Sequence, residues 1–261
     1  MTYCKFTLLF TFLISFLSFS AHSEESVWEG VKQDVKRDYA EFYSADRFIR
    51  MGIVFAGGAI MANTDIDQNF QDKYRGNIFS ADDSYNIKKL GEGRYLIPLS
   101  LISAGISSYL NDGSELSGIG KWGERTARAY FVGGPTVLTT QILTGASRPS
   151  ESKQISDWKP FNDSNGVSGH AFIGSVPFIT IAYMNKDNAL IKYSAYLAST
   201  LVAASRINDN QHYLSQAILG WYLGWESVDA VYTVDSKKKN NLHLTPMVGT
   251  DSYGVQVSMQ W

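Results

Sequence analysis

The stretch GVSGHAFIGSVPFITIAYMN, residues 166–185, decides the fold. Beyond His170 it is strongly apolar, with only Ser175, Thr180 and Tyr183 as polar side chains before Asn185. A helix without a polar face is buried in a helical core or in a membrane. Its N-terminal end has another character. Ser168 is placed to cap the helix, Gly169 lets an oxyanion approach the backbone N–H groups, and His170 follows at once. A helix N-terminus of this kind is a favourable seat for phosphate.

Similar runs lie on both sides. Ala129 to Ser147 reads as a helix, and a polar loop from Pro149 to Val167 separates it from the stretch above. Ala189 to Ser205 and His212 to Tyr232 complete the helical core. All are at or below the usual transmembrane length and carry Thr, Ser, Gln and Tyr, which favours a soluble or peripherally attached bundle. Upstream, Trp28 to Tyr43 reads as an amphipathic surface helix and Met51 to Thr64 as a charge-free, buried one. Asp65 to Arg94 is polar and reads as loops with one short helix. Tyr95 to Leu110 is charge-free and interrupted by Pro98. Asp65 to Asn69 has the acidic spacing of a calcium loop, but Phe70 stands where that loop needs glycine and no glutamate closes it. After Lys239 the chain alternates in the strand manner through Leu242, Leu244, Tyr253, Val255, Val257, Met259 and Trp261. A turn at Gly249 to Ser252 makes this a β-hairpin, packed on the bundle or on a second subunit of a homo-oligomer.

Residues 1–23 have the form of a secretory signal peptide: Lys5, an apolar run from Thr7 to Phe19, then Ala21-His22-Ser23. The single cysteine, Cys4, lies in this leader, so disulfides, cysteine nucleophiles and thiolate metal sites are excluded from the rest. A net charge of −2 argues against nucleic acid as a partner. With 44% hydrophobic and 18% charged residues the chain is globular. The expected organisation is a leader at 1–23, one all-α helical domain at 24–235 and a tail at 236–261 with a short hairpin.

Beyond the leader there are three histidines, His170, His212 and His243. Only two arginines follow Arg128, and each sits beside a serine: Ser147-Arg148-Pro149 and Ser205-Arg206. Each is also followed by a histidine. Arginine offers a fork of donors that matches phosphate oxygens and stays charged. A histidine beside a bound phosphate can attack phosphorus while a second protonates the leaving oxygen.

Arg148-Pro149, Ser168-Gly169-His170 and Ser205-Arg206-x5-His212, in this order, resemble the three motifs of the type 2 phosphatidic acid phosphatase/haloperoxidase superfamily. The resemblance covers roughly Gly120 to Tyr232. It implies a helical bundle with the motifs converging at one end. It implies His212 as the nucleophile that forms a phosphohistidine, and His170 as acid and then base. It also implies Arg148, Arg206, Ser168 and the Gly169 N–H as holders of the phosphoryl oxygens. No metal is required, and vanadate fits such a pocket as a phosphate mimic. Three positions depart from the motifs. Gln141 stands at the lysine position, Val167 replaces a proline, and Gln216 stands where an aspartate would orient the nucleophilic imidazole. Asp163, Asp209 and Lys153 lie in nearby loops and are the candidates to compensate, a role that spacing alone does not show. The expectation is a periplasmic, soluble or membrane-associated phosphatase acting on phosphomonoesters or on lipid phosphates and diphosphates. A non-catalytic relative that binds phosphate or phospholipid head groups, or scaffolds an envelope complex, is the alternative. A vanadate-dependent haloperoxidase is the third reading.

Overall fold

The computed structural model describes residues 24–109, 115–151, 156–239, 242–248 and 253–259. The leader, Lys153, the turn at 249–252 and Trp261 lie outside the described residues. The chain divides into two compact units, Met1–Lys36 and Arg37–Trp261, and the core and the site lie within the second.

The helices in chain order are α1 Glu24–Phe42, α2 Ala45–Ala62, α3 Asp65–Tyr74, α4 Ala81–Lys89, α5 Gly93–Tyr109 and α6 Glu115–Thr144, then α7 Gly169–Met184, α8 Ala189–Ser199, α9 Leu201–Asn208 and α10 Leu214–Lys239. Leu242–Val248 (β1) and Tyr253–Met259 (β2) pair antiparallel. Among the described residues the fold is all-α apart from this pair. Among the described residues no helix is long and apolar enough to cross a membrane.

The helix without a polar face, α7, is the centre of the bundle, and α6, α8, α9 and α10 pack around it. Phe172, Val176 and Ile179 of α7 meet Val132 of α6 and Leu219, Leu223 and Val231 of α10 in one buried cluster. Each such side chain contributes about 1.5–3 kcal/mol by leaving water.

Two prolines sit inside these core helices, and each frees the carbonyl four residues earlier. A tyrosine hydroxyl repairs both gaps. Tyr130 donates to the Ile173 carbonyl at 2.7 Å, opposite Pro177, and Tyr39 donates to the Phe131 carbonyl at 2.7 Å, opposite Pro135. Buried ion pairs join the N-terminal helices to the same core. Arg128 of α6 grips Asp38 of α1 with two bonds of 2.7 Å, and Arg47 of α2 reaches Glu226 of α10 at 2.6 Å.

Four expectations change. Asp65 to Arg94 holds two helices, α3 and α4, where loops with one short helix were expected. The signal for α4 is local: Ser80 accepts the Asp83 N–H at 3.1 Å as an N-cap. Met51 to Ala62 is the second part of α2, which starts at Ala45 and buries one side only, and Asn63 and Thr64 lie beyond its end. Phe48, Ile49, Ile53 and Ile60 are each more than 60% exposed, so freedom from charge did not mean burial. The run from Ala129 is the second half of a helix that begins at Glu115 and spans Pro135. Ala189 to Ser205 is two helices. The Ser199 and Thr200 hydroxyls bond back to the Tyr196 and Leu197 carbonyls at 2.6 and 2.8 Å, which competes with the helical ladder and lets α9 turn toward the site.

Candidate active site

The spacing between Arg206 and His212 is that of one closed turn. Arg206 lies in the last turn of α9, and its carbonyl accepts the backbone N–H groups of both Gln211 (3.0 Å) and His212 (3.1 Å). Asn210 makes the reversal in the left-handed region, at φ 58°, a conformation asparagine tolerates better than most residues. The guanidinium and the imidazole are thereby fixed to one loop.

Gln216 joins this turn to the other two motifs. Its Oε1 lies 2.9 Å from His212 Nδ1 and accepts the Tyr213 N–H at 3.1 Å. Its Nε2 donates to the Ser147 carbonyl at 2.9 Å, next to Arg148. Its own carbonyl accepts the Ser168 N–H at 2.9 Å. A backbone N–H can only donate and a carbonyl can only accept, so both ends of the amide are assigned by their partners. The oxygen therefore faces His212, whose Nδ1 must carry the proton, and Nε2 keeps its lone pair. The glutamine does what a carboxylate would do for the tautomer, without the charge. Gly220, one turn further along α10, lets the Ser168 loop rest directly on the helix: a Cβ there would stand 2.2 Å from the Ser168 carbonyl.

Ser168 caps α7, with its hydroxyl accepting the Ala171 N–H at 3.3 Å, and is fully buried. Gln141 is not free to serve a ligand with its whole amide. One N–H donates to the Val167 carbonyl at 2.8 Å, and Nε2 lies beside Gly169, 3.3 Å from where a Cβ would stand. It ties down the loop in front of α7. Arg148 is braced by the loop expected at Pro149 to Val167: its Nε donates to Asn165 Oδ1 at 2.9 Å, and its Nη1 lies 3.4 Å from Glu151. Asp163 in turn holds Asn165 at 2.8 Å, and Asp209 lies 3.6 Å from Arg206. Asn165 has no sequence signal beyond preceding the Gly166 to His170 stretch.

Arg206 is 5% exposed, and its Nε is buried without a hydrogen-bond partner among the described residues. Burial and the neighbouring Arg148 push its pKa down, while Asp209 pulls it up. Burial, assisted by the charges of Arg206 and Arg148, depresses His212 to about 3 despite the Gln216 hydrogen bond. Burial and Arg206 likewise depress His170 to about 4, against the opposing charge of Glu92. All four side chains would gain from an anion among them. Next to His170 an open pocket of about 490 Å³ is lined by Gly169 and Ile173, by Glu92 just before α5 and by Arg94 in its first turn.

A pH dependence of stability follows. An unfolded histidine titrates near 6.5, so between pH 6.5 and about 3 the unfolded chain binds a proton at His212 that the folded chain does not. Stability therefore rises with pH across this window and is lost on acidification, by on the order of 5 kcal/mol for His212 over the whole window and about 3 kcal/mol of it by pH 4. Denaturant titrations in phosphate-free buffer at pH 7 and pH 4 should show the loss. Equal stabilities at the two pH values would refute it.

Residues 129–240 match the family model described as the PAP2 superfamily. Neither curated proteins nor solved structures yield a match. The matched range contains the Arg148, Ser168-Gly169-His170 and Arg206 to His212 motifs together with Gln216, and leaves out α1 to α5.

Proposed function

Residues 129–240 belong to the PAP2 superfamily, a family of phosphatase-type hydrolases, and from that premise we propose a phosphatase that works through a phosphohistidine at His212. The observation that carries the proposal is an imidazole held as its Nδ1–H tautomer on the same turn as a buried, partly unpartnered Arg206. Arg148, Arg206, the Ser168 hydroxyl and the Gly169 N–H hold the phosphoryl oxygens of a phosphomonoester or a lipid phosphate or diphosphate. His212 Nε2 attacks phosphorus, the N–P bond forms, the P–O bond to the leaving group breaks, and His170 gives that oxygen its proton. His170 then takes a proton from water, whose oxygen attacks phosphorus and releases His212. The depressed His170 does not hold its proton at neutral pH in the free enzyme, but a bound phosphate, negative and adjacent, would raise it. The leader-like residues 1–23 support action in the periplasm.

The test is phosphate release by the purified full chain from p-nitrophenyl phosphate, phosphatidic acid and a polyprenyl diphosphate, with and without vanadate. Release that vanadate blocks supports the proposal and ranks the substrates. A folded protein that binds phosphate but releases none favours the second reading, a binding protein, to which the neutral amides at 141 and 216 lend weight. Halide oxidation in the presence of vanadate would point to the haloperoxidase reading instead.

Gln216→Asp separates charge from tautomer. An aspartate would stabilise the imidazolium that forms at phosphoryl transfer, and a charge-assisted bond exceeds a neutral one by roughly 1–1.5 kcal/mol, so kcat should rise about 5–10-fold. The Ser147 carbonyl would lose its donor, at a cost of roughly 1–3 kcal/mol, and Tm should fall. Unchanged kcat would mean that the amide already supplies everything the site uses.

A further inference from the structure

The turn that carries His212 is held from outside the matched range. Gln71 of α3 donates to the Ile207 carbonyl and to Asn210 Oδ1, each at 3.0 Å. Ser84 of α4 donates to Asp209 at 2.6 Å, and Asn208 Oδ1 accepts the Ile78 and Phe79 N–H groups at 3.0 Å each. The tightest of these grips belongs to Asp67. It is fully buried, its Oδ1 accepts the Ser215 N–H at 2.8 Å, and its Oδ2 accepts the Ser215 hydroxyl.

The need for such a grip lies in the start of α10. The first N–H groups of a helix have no partner within it, and a short polar side chain at the N-cap usually supplies one. Tyr213 holds that position here, and its carbonyl accepts the Ala217 N–H as the first helical bond at 3.0 Å. A tyrosine ring cannot fold back as a cap. The two acceptors come from elsewhere: Gln216 Oε1 takes the Tyr213 N–H, and Asp67 takes the Ser215 N–H. The same Gln216 oxygen orients His212. If the first turn of α10 frays, the oxygen leaves the imidazole. A carboxylate at a helix N-terminus is also favoured by the helix dipole.

We propose that Asp67 is a positioning residue for His212, a carboxylate supplied by α3 that caps the first turn of α10 and so keeps Gln216 against the imidazole. The proposal rests on His212 being the nucleophile. Asp67 acts through Gln216 and touches no substrate.

The experiment uses the full chain with Asp67→Ala and Asp67→Asn, assayed with p-nitrophenyl phosphate, and reads the His212 ring nitrogens by ¹⁵N NMR. Asp67→Ala should lower kcat about 10–100-fold with KM within about twofold, the scale of a misplaced reacting group. The His212 Nδ1–H tautomer should give way to a mixture. Asp67→Asn should restore kcat to within about threefold and the tautomer with it, because its Oδ1 still accepts the Ser215 N–H and its amide donates to the Ser215 hydroxyl. A folded Asp67→Ala chain with wild-type kcat and an intact Nδ1–H tautomer would overturn the proposal. If Asp67→Ala does not fold, Asp67→Asn decides: a folded Asn variant that has lost the tautomer overturns it. If the wild-type chain releases no phosphate at all, the phosphatase reading fails, and the tautomer in the two variants still decides the role of Asp67.

Discussion

His212→Ala is expected to lower phosphate release by about 10⁶-fold, the scale on which removal of a covalent nucleophile acts, while the chain stays folded and still binds phosphate. The structure says why folding should survive. The imidazole has one hydrogen-bonding neighbour among the described residues, Gln216 Oε1, and that oxygen keeps the Tyr213 N–H when the ring is gone. No buried acceptor is stranded, so the cost is the small cavity. The acid side gives a second, independent reading. His212 is the most depressed of the site's ionisable groups, and the alanine variant no longer takes up its proton on unfolding. The difference in stability between pH 7 and pH 4 should therefore shrink in the variant by on the order of 3 kcal/mol, the part of the window that lies above pH 4. Phosphate release in the variant near the wild-type rate would remove His212 from the mechanism. An unchanged pH dependence of stability would mean that the ring is not buried neutral.

The parts of the site legible in the sequence are those whose geometry is local. Arg206 and His212 are tied by two backbone hydrogen bonds within a single turn, so their spacing carries the arrangement. Ser168, Gly169 and His170 are consecutive and make one helix N-terminus. The central helix α7 was equally plain, because an apolar run with no polar face has only one place in a bundle. What the sequence hides is the long-range pairing. Gln216 reads as a lost carboxylate. Only the Ser147 carbonyl and the Tyr213 N–H, fixed by the fold, show that a two-ended amide is required at that point. Asp67 reads as one acidic residue among several in a polar stretch, and its partner lies far along the chain. The helices α3 and α4 are short and polar, so they lack the apolar periodicity that betrays a helix, and the one local signal is the Ser80 cap. The exposed face of α2 shows the converse error. Phe48, Ile53 and Ile60 are apolar and yet outside, since apolar composition permits burial without enforcing it.

Arg206→Met should separate function from stability. The methionine fills most of the volume of the arginine side chain with no charge to bury. The native guanidinium lies almost fully buried, with Nε unpartnered among the described residues and its nearest carboxylate, Asp209, 3.6 Å away. A charge so poorly compensated costs stability, and apolar replacement of buried charges is often neutral or stabilising by about 1–4 kcal/mol. In phosphate-free buffer Tm should hold or rise. Phosphate release should fall by roughly 10³–10⁵-fold, the range lost with an arginine that neutralises a transferring phosphoryl group. Arg206→Lys should recover little of it, because an ammonium cannot offer the planar fork. The pKa of His212 should rise, since Arg206 is the largest of the charges that hold it down. The rise in Tm that phosphate gives the wild-type chain should largely vanish. An Arg206→Met chain that is markedly less stable without phosphate, or that still gains the full stabilisation from it, would show that Arg206 holds the fold and not the anion. Retained stability with lost turnover would show a side chain kept for its charge at a thermodynamic cost, the trade-off expected where a site is built to receive an anion.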